Sequence, residues 1–337
     1  MIELEPIESI LAGTISKGTL FEPSDISLSE RFVPSRDESD EAENSVDERL
    51  RTEAVRRSLT PKYPKETQVV AIDSTSLILG QIPDGLVGAL RVSVVVKPAG
   101  ESRWKLTHYG PFLVAINEQG KDLFYQRLYR SVYGLEVSPQ APDLDRTLDQ
   151  TRNLFERHIQ QEFVKNCKDS LILLDGSLVA AAIVKPSSFA RKILDQAAEN
   201  GNSIVAVSKT TKLVLERSRR NILSLLDGVH GPCCVAGVKP YIKQNQDRYL
   251  GEIYVAKFTL LGEPFRVDLP SNDPTPHHET MNAVSGLAGD YGYPEELRLA
   301  HMTAIFSAIE ILELQSAATV LHGLDMKEEL RTRLFPL

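Results

Sequence analysis

Two short apolar runs in this chain each stop on an aspartate, and they constrain the fold more than any other feature. Residues 69–72 precede Asp73, and residues 171–174 precede Asp175. An apolar run of this length between polar residues predicts a strand that is buried on both faces of a sheet. Ligands in such sheets bind at the carboxyl ends of the strands. The two aspartates therefore share one site if their strands are neighbours.

Two carboxylates at one sheet edge are typical of a metal site. Like charges at close range repel each other and raise each other's pKa unless a cation lies between them. Aspartate oxygens are hard ligands that suit Mg²⁺ and Mn²⁺. A single aspartate after a strand more often begins a turn by bonding its own backbone. Because two such aspartates occur, we favour the metal site.

The remaining pattern predicts an α/β fold. Residues 86–97 and 104–117 are rich in β-branched and aromatic residues and flank a Pro-Ala-Gly-Glu turn, which indicates a hairpin. A helix over 144–166 follows, and helices and strands then alternate up to a long helix over 294–317. Three strands, a helix, a strand and then alternation is the order of the ribonuclease-H-like fold, a mixed sheet flanked by helices.

The chain divides into three predicted segments. They are an N-terminal helical segment with an acidic linker (1–60), a main α/β domain (61–320) and a C-terminal helical tail (321–337). A short helix over 1–15 would turn its apolar residues inward. Further helices are predicted over 46–58 and 211–226.

Charge is concentrated in two stretches. The formal net charge is −8, and seven acidic residues with no basic one lie between residues 37 and 48. The rest of the chain is therefore nearly neutral, and residues 191–220 hold seven basic and three acidic residues. A near-neutral body with a local basic stretch can bind a phosphate backbone. A solvated helix face is the more common origin of any single charge run.

Two observations argue against a membrane or secreted protein. No apolar stretch is long enough to span a bilayer, and the first residues, MIELEPIESILAG, are acidic where a signal peptide would be basic. The three cysteines form no CxxC pair, so neither a disulfide framework nor a zinc site is indicated. We expect a cytoplasmic protein with no membrane partner.

A glutamate on the predicted helix over 144–166 is a further candidate ligand. Glu156 lies next to Phe155 of the inner face, with Arg152 one turn earlier. A surface Arg–Glu pair is the ordinary explanation of such spacing. The helix must nevertheless cross the sheet to deliver the strand that ends in Asp175, so a glutamate near its start can reach the same edge. Spacing leaves Glu162 as an alternative.

Three more side chains are candidates for this site. His301 shares a helical stripe with Leu297, and it is a ligand or proton donor only if that stripe covers the carboxylates. Otherwise it is an ordinary core histidine. Lys209 follows a buried strand and would neutralise a phosphate, or it would point into solvent beside a helix N-cap. Arg266 alternates outward from a predicted edge strand and is a weaker candidate.

Several common motifs are absent from the chain. It contains no P-loop, no GxGxxG after a strand and no GxSxG nucleophile elbow. The run Asp73-Ser74-Thr75-Ser76 is faintly similar to the phosphate-binding turn of actin-like ATPases and sugar kinases. That turn needs a glycine, which this run lacks, so an actin-like phosphotransferase is disfavoured.

Six segments taken together resemble the motifs of the NurA nuclease family. They are Ala71-Ile72-Asp73-Ser74-Thr75-Ser76, Arg152-Asn153-Leu154-Phe155-Glu156, Leu173-Leu174-Asp175-Gly176-Ser177-Leu178, Val207-Ser208-Lys209-Thr210, Phe265-Arg266-Val267-Asp268-Leu269-Pro270, and Gly292-Tyr293-Pro294 running to Ala300-His301. They occur in the family's order and cover about residues 67–315. The ordered set, rather than any one segment, carries the resemblance.

The resemblance implies a ribonuclease-H-like, Mn²⁺-dependent DNA nuclease, with Mg²⁺ as the alternative ion. Its activity would be of the single-strand endonuclease and 5′–3′ exonuclease type. It would act as a homodimer docked on a hexameric HerA-type ATPase translocase, in DNA end processing and double-strand break repair. A non-catalytic subunit that docks on a translocase is the second hypothesis, and it would not require metal.

The resemblance also implies roles for individual residues. The metal ligands would be Asp73, Glu156, Asp175 and His301. Tyr293 would lie beside His301 as a further catalytic residue, and Lys209 and Arg266 would bind the nucleic acid. The mechanism expected is two-metal hydrolysis, in which ions about 4 Å apart activate water and stabilise the leaving oxygen.

Overall fold

The fold is given by a computed structural model, which describes residues 7–11, 26–27, 43–82, 84–135, 139–180, 186–322 and 326–327. Its helices are α1 (7–11), α2 (Leu50–Glu53), α3 (Lys121–Tyr133), α4 (Leu144–Asn166), α5 (Ser187–Glu199), α6 (His277–Leu287), α7 (Glu295–Ala304) and α8 (Ala308–His322). Its strands are β1 (Ile26–Ser27), β2 (Asn44–Val46), β3 (Arg56–Ser58), β4 (Gln68–Ile82), β5 (Gly85–Lys97), β6 (Lys105–Asn117), β7 (Ser170–Asp175), β8 (Ser203–Ser208), β9 (Leu213–Leu215), β10 (Cys233–Val235), β11 (Gly251–Lys257), β12 (Phe265–Pro270) and β13 (Met326–Lys327).

The described residues form one large mixed sheet of nine strands. Its order is β3-β10-β11-β12-β8-β7-β4-β5-β6. Strands β4, β5 and β6 are antiparallel neighbours, whereas β7 is parallel to β4 and β8 is parallel to β7. If the five central strands β4 to β8 are renumbered 1 to 5 in chain order, their order in the sheet, read from β6, is 3-2-1-4-5. The predicted α/β class, a ribonuclease-H-like mixed sheet flanked by helices, is confirmed.

Helices cover both faces of the central strands, which explains why these strands are apolar throughout. Ile72 of β4 faces Phe155 of α4, and both side chains are wholly buried. Ala71, the next residue on β4, faces the opposite layer, where it packs with Leu297 and Ala300 of α7. Successive residues of a strand point to opposite faces. The predicted inner face of the helix over 144–166 is confirmed by these contacts.

Strand β4 does not end at Asp73 as the apolar run predicted. Its pairing with β7 stops at Ile72, opposite Leu174, but its pairing with β5 continues to Ile82, opposite Gly85. Asp73 therefore lies inside a long strand, at the point where that strand loses its parallel neighbour. The predicted ligand site therefore lies where the pairing with β7 ends, and not at the end of β4 itself.

The single helix predicted over 294–317 is wrong, because two helices occupy this stretch. Helix α7 ends at Ala304, and α8 begins at Ala308. Ser307 starts the second helix with a capping box: its Oγ accepts from the Glu310 amide at 3.3 Å, and Glu310 Oε2 accepts from the Ser307 amide at 2.8 Å. Phe306, in the break, is buried beneath the guanidinium of Arg91, 4.6 Å from its ring centre.

Two other predicted helices are also wrong. In 46–58 only Leu50–Glu53 is helical, and β3 adds to one end of the nine-stranded sheet by pairing with β10. In 211–226 the chain forms β9 and then a 3₁₀ helix, Ile222–Leu226. Asn221 caps the start of that 3₁₀ helix by accepting from the Leu223 amide at 2.9 Å, so the helical segment begins at Ile222 and not at residue 211.

The terminal segments are described only in part. Within the predicted helix over 1–15, residues 7–11 are helical, with Ile7 and Leu11 buried as expected. In the predicted helical tail, Met326–Lys327 is instead a short strand that pairs in parallel with Ile26–Ser27. The rest of the tail after 322, and the acidic run before residue 43, lie outside the described residues, so the three-segment division stays a prediction. Among the described helices, none has the length and apolar character needed to cross a membrane.

Candidate metal centre

The register of two parallel strands brings Asp73 and Asp175 together. Ile72 of β4 pairs with Leu174 of β7, so the next residue of each strand is an aspartate. Both side chains point to the sheet face that α7 covers, because they occupy equivalent positions of the pleat. They are largely buried, with 9% and 15% of the side-chain surface exposed. The predicted pairing of the two carboxylates is present in the structure.

His301 joins the two carboxylates from above the sheet. Helix α7 begins after Pro294 and packs Leu297 and Ala300 against the strands, which places His301 over Asp73. The imidazole Nδ1 lies 2.7 Å from Asp73 Oδ2. One potential ligand atom from each of Asp73, Asp175 and His301 lies within 4.8 Å of the others.

Basic side chains of the protein itself lie against both carboxylates of this cluster. The hydrogen bond to Asp73 raises the pKa of His301 above its ordinary value, against the opposing effect of burial. Lys209 Nζ lies 2.7 Å from Asp175 Oδ2. Each carboxylate is thus hydrogen-bonded to a basic group of the protein itself. Two carboxylate oxygens and one imidazole nitrogen are suitable ligands for a divalent ion such as Mn²⁺, so the residues present fit the predicted metal.

Lys209 and Tyr293 extend the cluster on the side of β8. Lys209 follows the last residue of that strand, and about a third of its side chain is exposed. Its Nζ lies 5.1 Å from the centre of the Tyr293 ring, which also contacts Phe265 at 5.2 Å between ring centres. The aromatic face holds the ammonium group near Asp175. The structure therefore places both predicted residues beside the candidate centre.

Glu156 lies on the other side of β4 from this cluster. Its carboxylate accepts a short hydrogen bond from the Ser74 hydroxyl and another from Gln160 Nε2 at 2.6 Å. The Ser74 amide in turn donates to Asp73 Oδ1 at 2.8 Å, so Glu156 is connected to the cluster through one residue. Burial raises the pKa of the Glu156 carboxyl. Direct metal ligation by Glu156 stays a prediction.

The alternative glutamate is farther from the cluster. Glu162 lies six residues later on α4, about 9 Å along the helix axis, and its carboxylate pairs with Lys165 at 2.7 Å. Of the two glutamates, only Glu156 contacts the residue next to Asp73. Sequence reasoning did not identify Ser74 and Gln160 as the partners of Glu156, although Gln160 stands at the (i, i+4) spacing that would have indicated it.

Arg266 does not occupy the position that was predicted for it. Its strand, β12, lies inside the sheet between β11 and β8, and the side chain is completely buried. Its Nε and Nη2 donate to the two oxygens of Asp268, both at 2.7 Å. The outward orientation predicted from an edge strand is wrong, because the arginine is neutralised two residues later on the same strand face. This guanidinium is not on a surface that DNA can reach.

Comparison with known proteins identifies one family. The model of the NurA domain matches residues 67–306, which is most of the chain. None of the curated proteins matches the sequence. This match alone assigns the chain to a family.

Several solved structures are distantly similar to the chain. The NurA nuclease from Sulfolobus solfataricus is 16% identical, with a TM-score of 0.44 over 81% of this chain and 89% of that one. Endonuclease V from Streptomyces avermitilis is 13% identical, with a TM-score of 0.37 over 80% and 90%. A NurA with manganese is 8% identical, with a TM-score of 0.35 over 76% and 90%.

Proposed function

The chain belongs to the NurA family of nucleases, and on that premise we propose that it is a divalent-metal-dependent deoxyribonuclease centred on Asp73, Asp175 and His301. The observation that carries this proposal is the convergence of one ligand atom from each residue within 4.8 Å. The three residues come from two neighbouring strands and a helix, so the fold itself builds the cluster.

Mn²⁺ is the proposed ion, with Mg²⁺ as the alternative. The mixed set of oxygen and nitrogen ligands supports this choice, since carboxylates suit both ions and an imidazole is less suited to Mg²⁺. A divalent ion bound there would polarise a phosphoryl oxygen and lower the pKa of a water molecule. Asp73, Asp175 and His301 would hold it.

Other residues of the chain have proposed roles around this centre. Lys209, partly exposed beside Asp175, would bind a non-bridging oxygen of the scissile phosphate, and Tyr293 would position its ammonium group. Glu156 would orient Asp73 through Ser74, whose hydroxyl and amide make both connecting hydrogen bonds. In these contacts Glu156 is a positioning residue, and its direct ligation of the ion stays a prediction.

The finer biological role is proposed from family membership alone. The chain would hydrolyse single-stranded DNA as an endonuclease and 5′–3′ exonuclease during DNA end processing and double-strand break repair. It would work in the cytoplasm as a homodimer docked on a HerA-type hexameric ATPase translocase.

Cleavage of end-labelled single-stranded DNA tests the proposed activity. The wild-type chain would be assayed with Mn²⁺, Mg²⁺ or chelator, beside Asp175→Asn and the control Asp227→Asn, which alters a surface aspartate that is 55% exposed. We expect cleavage with Mn²⁺, none with chelator, and a loss of at least about 100-fold in Asp175→Asn only. Equal activity in both variants would show that Asp175 is not part of the active site. Inactivity of the wild type with every ion, with and without the translocase, would favour a non-catalytic subunit.

Metal binding provides a second readout that does not depend on turnover. An ion that binds only the folded chain stabilises it, by about 2.7 kcal/mol at a hundredfold excess over its Kd. We expect Mn²⁺ to raise the Tm of the wild type and of Asp227→Asn, and to leave the Tm of Asp175→Asn unchanged.

A further inference from the structure

An exposed pair of aromatic side chains flanks a lysine at the tip of the β5–β6 hairpin. Trp104 and Tyr63 are 47% and 37% exposed. Lys97 Nζ lies 4.1 Å from the centre of the Tyr63 ring and 6.0 Å from that of Trp104. The three side chains thus form one surface patch, which we call the aromatic platform. Exposed aromatic side chains beside a cation are suited to stacking a nucleobase.

The aromatic platform is held in place from below. Trp104 Nε1 donates to Glu296 Oε1 at 3.2 Å, and Glu296 is 99% buried in the first turn of α7. Its other oxygen, Oε2, is buried and accepts no hydrogen bond from the described residues. The amide of Gly100, in the hairpin turn, donates to the carbonyl of Lys65 at 2.8 Å and so ties the hairpin to the segment of Tyr63. A binding surface fixed in advance loses little conformational entropy when a ligand arrives.

The surroundings of the aromatic platform are basic, although the whole chain is acidic. Segments 61–66 and 97–105 together contain five basic residues, Lys62, Lys65, Lys97, Arg103 and Lys105, against two acidic ones, Glu66 and Glu101. One acidic residue is already paired, since Lys105 Nζ lies 3.3 Å from Glu101 Oε1. A local positive excess attracts the phosphates of a nucleic acid strand.

The aromatic platform lies on the same face of the sheet as the candidate metal centre. Asp73 pairs with Ser93 and Val69 pairs with Lys97, so Lys97 is four residues from the Asp73 register and points to the same face. Along β5, Lys97 lies about 13 Å from Ser93, the residue opposite Asp73. On α7, Glu296 and His301 are about 7.5 Å apart along the axis. Helix α7 therefore contacts both sites, and a strand of a few nucleotides is long enough to reach from one site to the other.

We propose that the aromatic platform stacks an unpaired base of single-stranded DNA, with Trp104 as the principal contact and Lys97 against the adjoining phosphate. The inference rests on the proposed nuclease function, and it assigns the place where the strand lies while its scissile phosphate is at the metal centre. A tryptophan that merely anchored the hairpin could be buried, whereas Trp104 is 47% exposed and lies near a second exposed aromatic residue.

The single tryptophan of the chain makes a direct test possible. Trp104 is the only source of tryptophan fluorescence, so its emission reports on its own environment. The full chain would be titrated in chelator, which prevents cleavage, with a short oligothymidylate and with an abasic strand of equal length. Binding of each strand would be followed independently by the anisotropy of a label on the DNA. We expect saturable quenching by oligothymidylate and none by the abasic strand.

Variants separate stacking from general binding. We expect Trp104→Leu to weaken oligothymidylate binding about 10-fold while leaving abasic-strand binding unchanged, and Trp104→Phe to recover much of that loss. Leu106→Ala, which alters an exposed apolar residue of the same hairpin, serves as the matched control and should bind like the wild type.

Three results would overturn the proposal: binding of oligothymidylate without quenching, equal quenching by the abasic strand, or a change of emission with protein concentration in the absence of DNA, which would indicate a contact between copies. Metal-dependent cleavage measured in the same preparation distinguishes failure of the aromatic platform from failure of the proposed nuclease function. If one of these results occurs while cleavage persists, only the assignment of the aromatic platform is wrong. If quenching occurs without cleavage by any ion, that assignment is retained and the proposed nuclease function is wrong.

Discussion

His301 Nδ1 lies 2.7 Å from Asp73 Oδ2, although 228 residues separate the two in sequence. This hydrogen bond joins α7 to the central strand at the one place where β4 has lost its parallel neighbour. It raises the pKa of His301 and fixes the direction of the imidazole. The candidate centre is therefore a property of the tertiary packing, since each residue alone has an ordinary local explanation.

Replacing the imidazole should weaken metal binding. We expect His301→Gln to raise the Kd for Mn²⁺ by about 10- to 100-fold, because one of the three converging ligand atoms is lost. Calorimetric titration with Mn²⁺ measures this effect. His278→Gln, which alters an exposed histidine on α6, is the matched control. Unchanged Mn²⁺ affinity in His301→Gln would exclude the imidazole from the ligand set.

The two glutamates of α4 should differ in their effects on cleavage. We expect Glu156→Gln to lower kcat by about 10-fold or more, because the hydrogen-bond chain through Ser74 to Asp73 is altered. Glu162→Gln, which changes only a pair with Lys165, should retain activity. Comparing kcat and Mn²⁺ affinity in both variants tests this, and an equal loss in the two would contradict the assignment.

Loss of the Lys209 charge should change the salt dependence of DNA binding. Removing one phosphate contact reduces the slope of log K against log salt by about 1. We expect this reduction in Lys209→Gln when binding is measured at several salt concentrations in chelator. Lys168→Gln, which alters an exposed lysine at the opposite end of β7, should keep the wild-type slope. An unaltered slope in Lys209→Gln would show that its ammonium does not bind DNA.

Arg266 should contribute to stability rather than to DNA binding. We expect Arg266→Met to lower the free energy of unfolding by about 3–5 kcal/mol, because Asp268 would be left as an uncompensated buried charge. The double variant Arg266→Met/Asp268→Asn should recover part of that loss. Denaturant unfolding measures both. A stable Arg266→Met variant with weakened DNA affinity would restore the nucleic-acid role.

The ion pair between Arg91 and Glu310 should make the attachment of α8 sensitive to acid. The hydrogen bond from Arg91 lowers the pKa of Glu310 to about 2, from an ordinary value of 4.5. Because the pKa is lower in the folded state, the stabilising contribution is present above pH 4.5 and disappears as the pH falls toward 2. Glu310 is about a third exposed, so the contribution is about 1 kcal/mol or less.

The comparison of wild type with Glu310→Gln measures this contribution. Their difference in free energy of unfolding should be largest near neutral pH and vanish near pH 2. Glu313→Gln, on the same helix, controls for the loss of a carboxylate. A difference that grows as the pH falls would contradict the assigned direction.

Local patterns predicted the buried strands well but not the length of β4. The apolar runs before Asp73 and Asp175 indicated both strands and their shared site. The end of the apolar run placed the end of the strand at Asp73, yet the hydroxyl residues after it continue β4 because they pair with β5, and tertiary partners accept from their hydroxyl groups. Ser74 donates to Glu156, and Ser76 donates to Asp149 at 2.7 Å.

Strand alternation alone does not predict the burial of Arg266. Alternation along a strand distinguishes the two faces of a sheet, but it does not say whether both faces are covered. Here both are, and the arginine is accommodated by Asp268 on the same face of the same strand. The Arg-x-Asp spacing was the available signal. Similarly, Ser307 and Glu310 have the capping-box spacing that would have divided the last predicted helix.

The scattered origin of the candidate centre has a consequence for biosynthesis. Protein chains are made from the N-terminus, and Asp73, Asp175 and His301 leave the ribosome in that order. A growing chain that has not reached residue 301 carries the two carboxylates without the imidazole, and without the helix that covers them. A polypeptide that ends before residue 301 therefore cannot assemble the centre, and the proposed nuclease would remain inactive throughout most of its own translation.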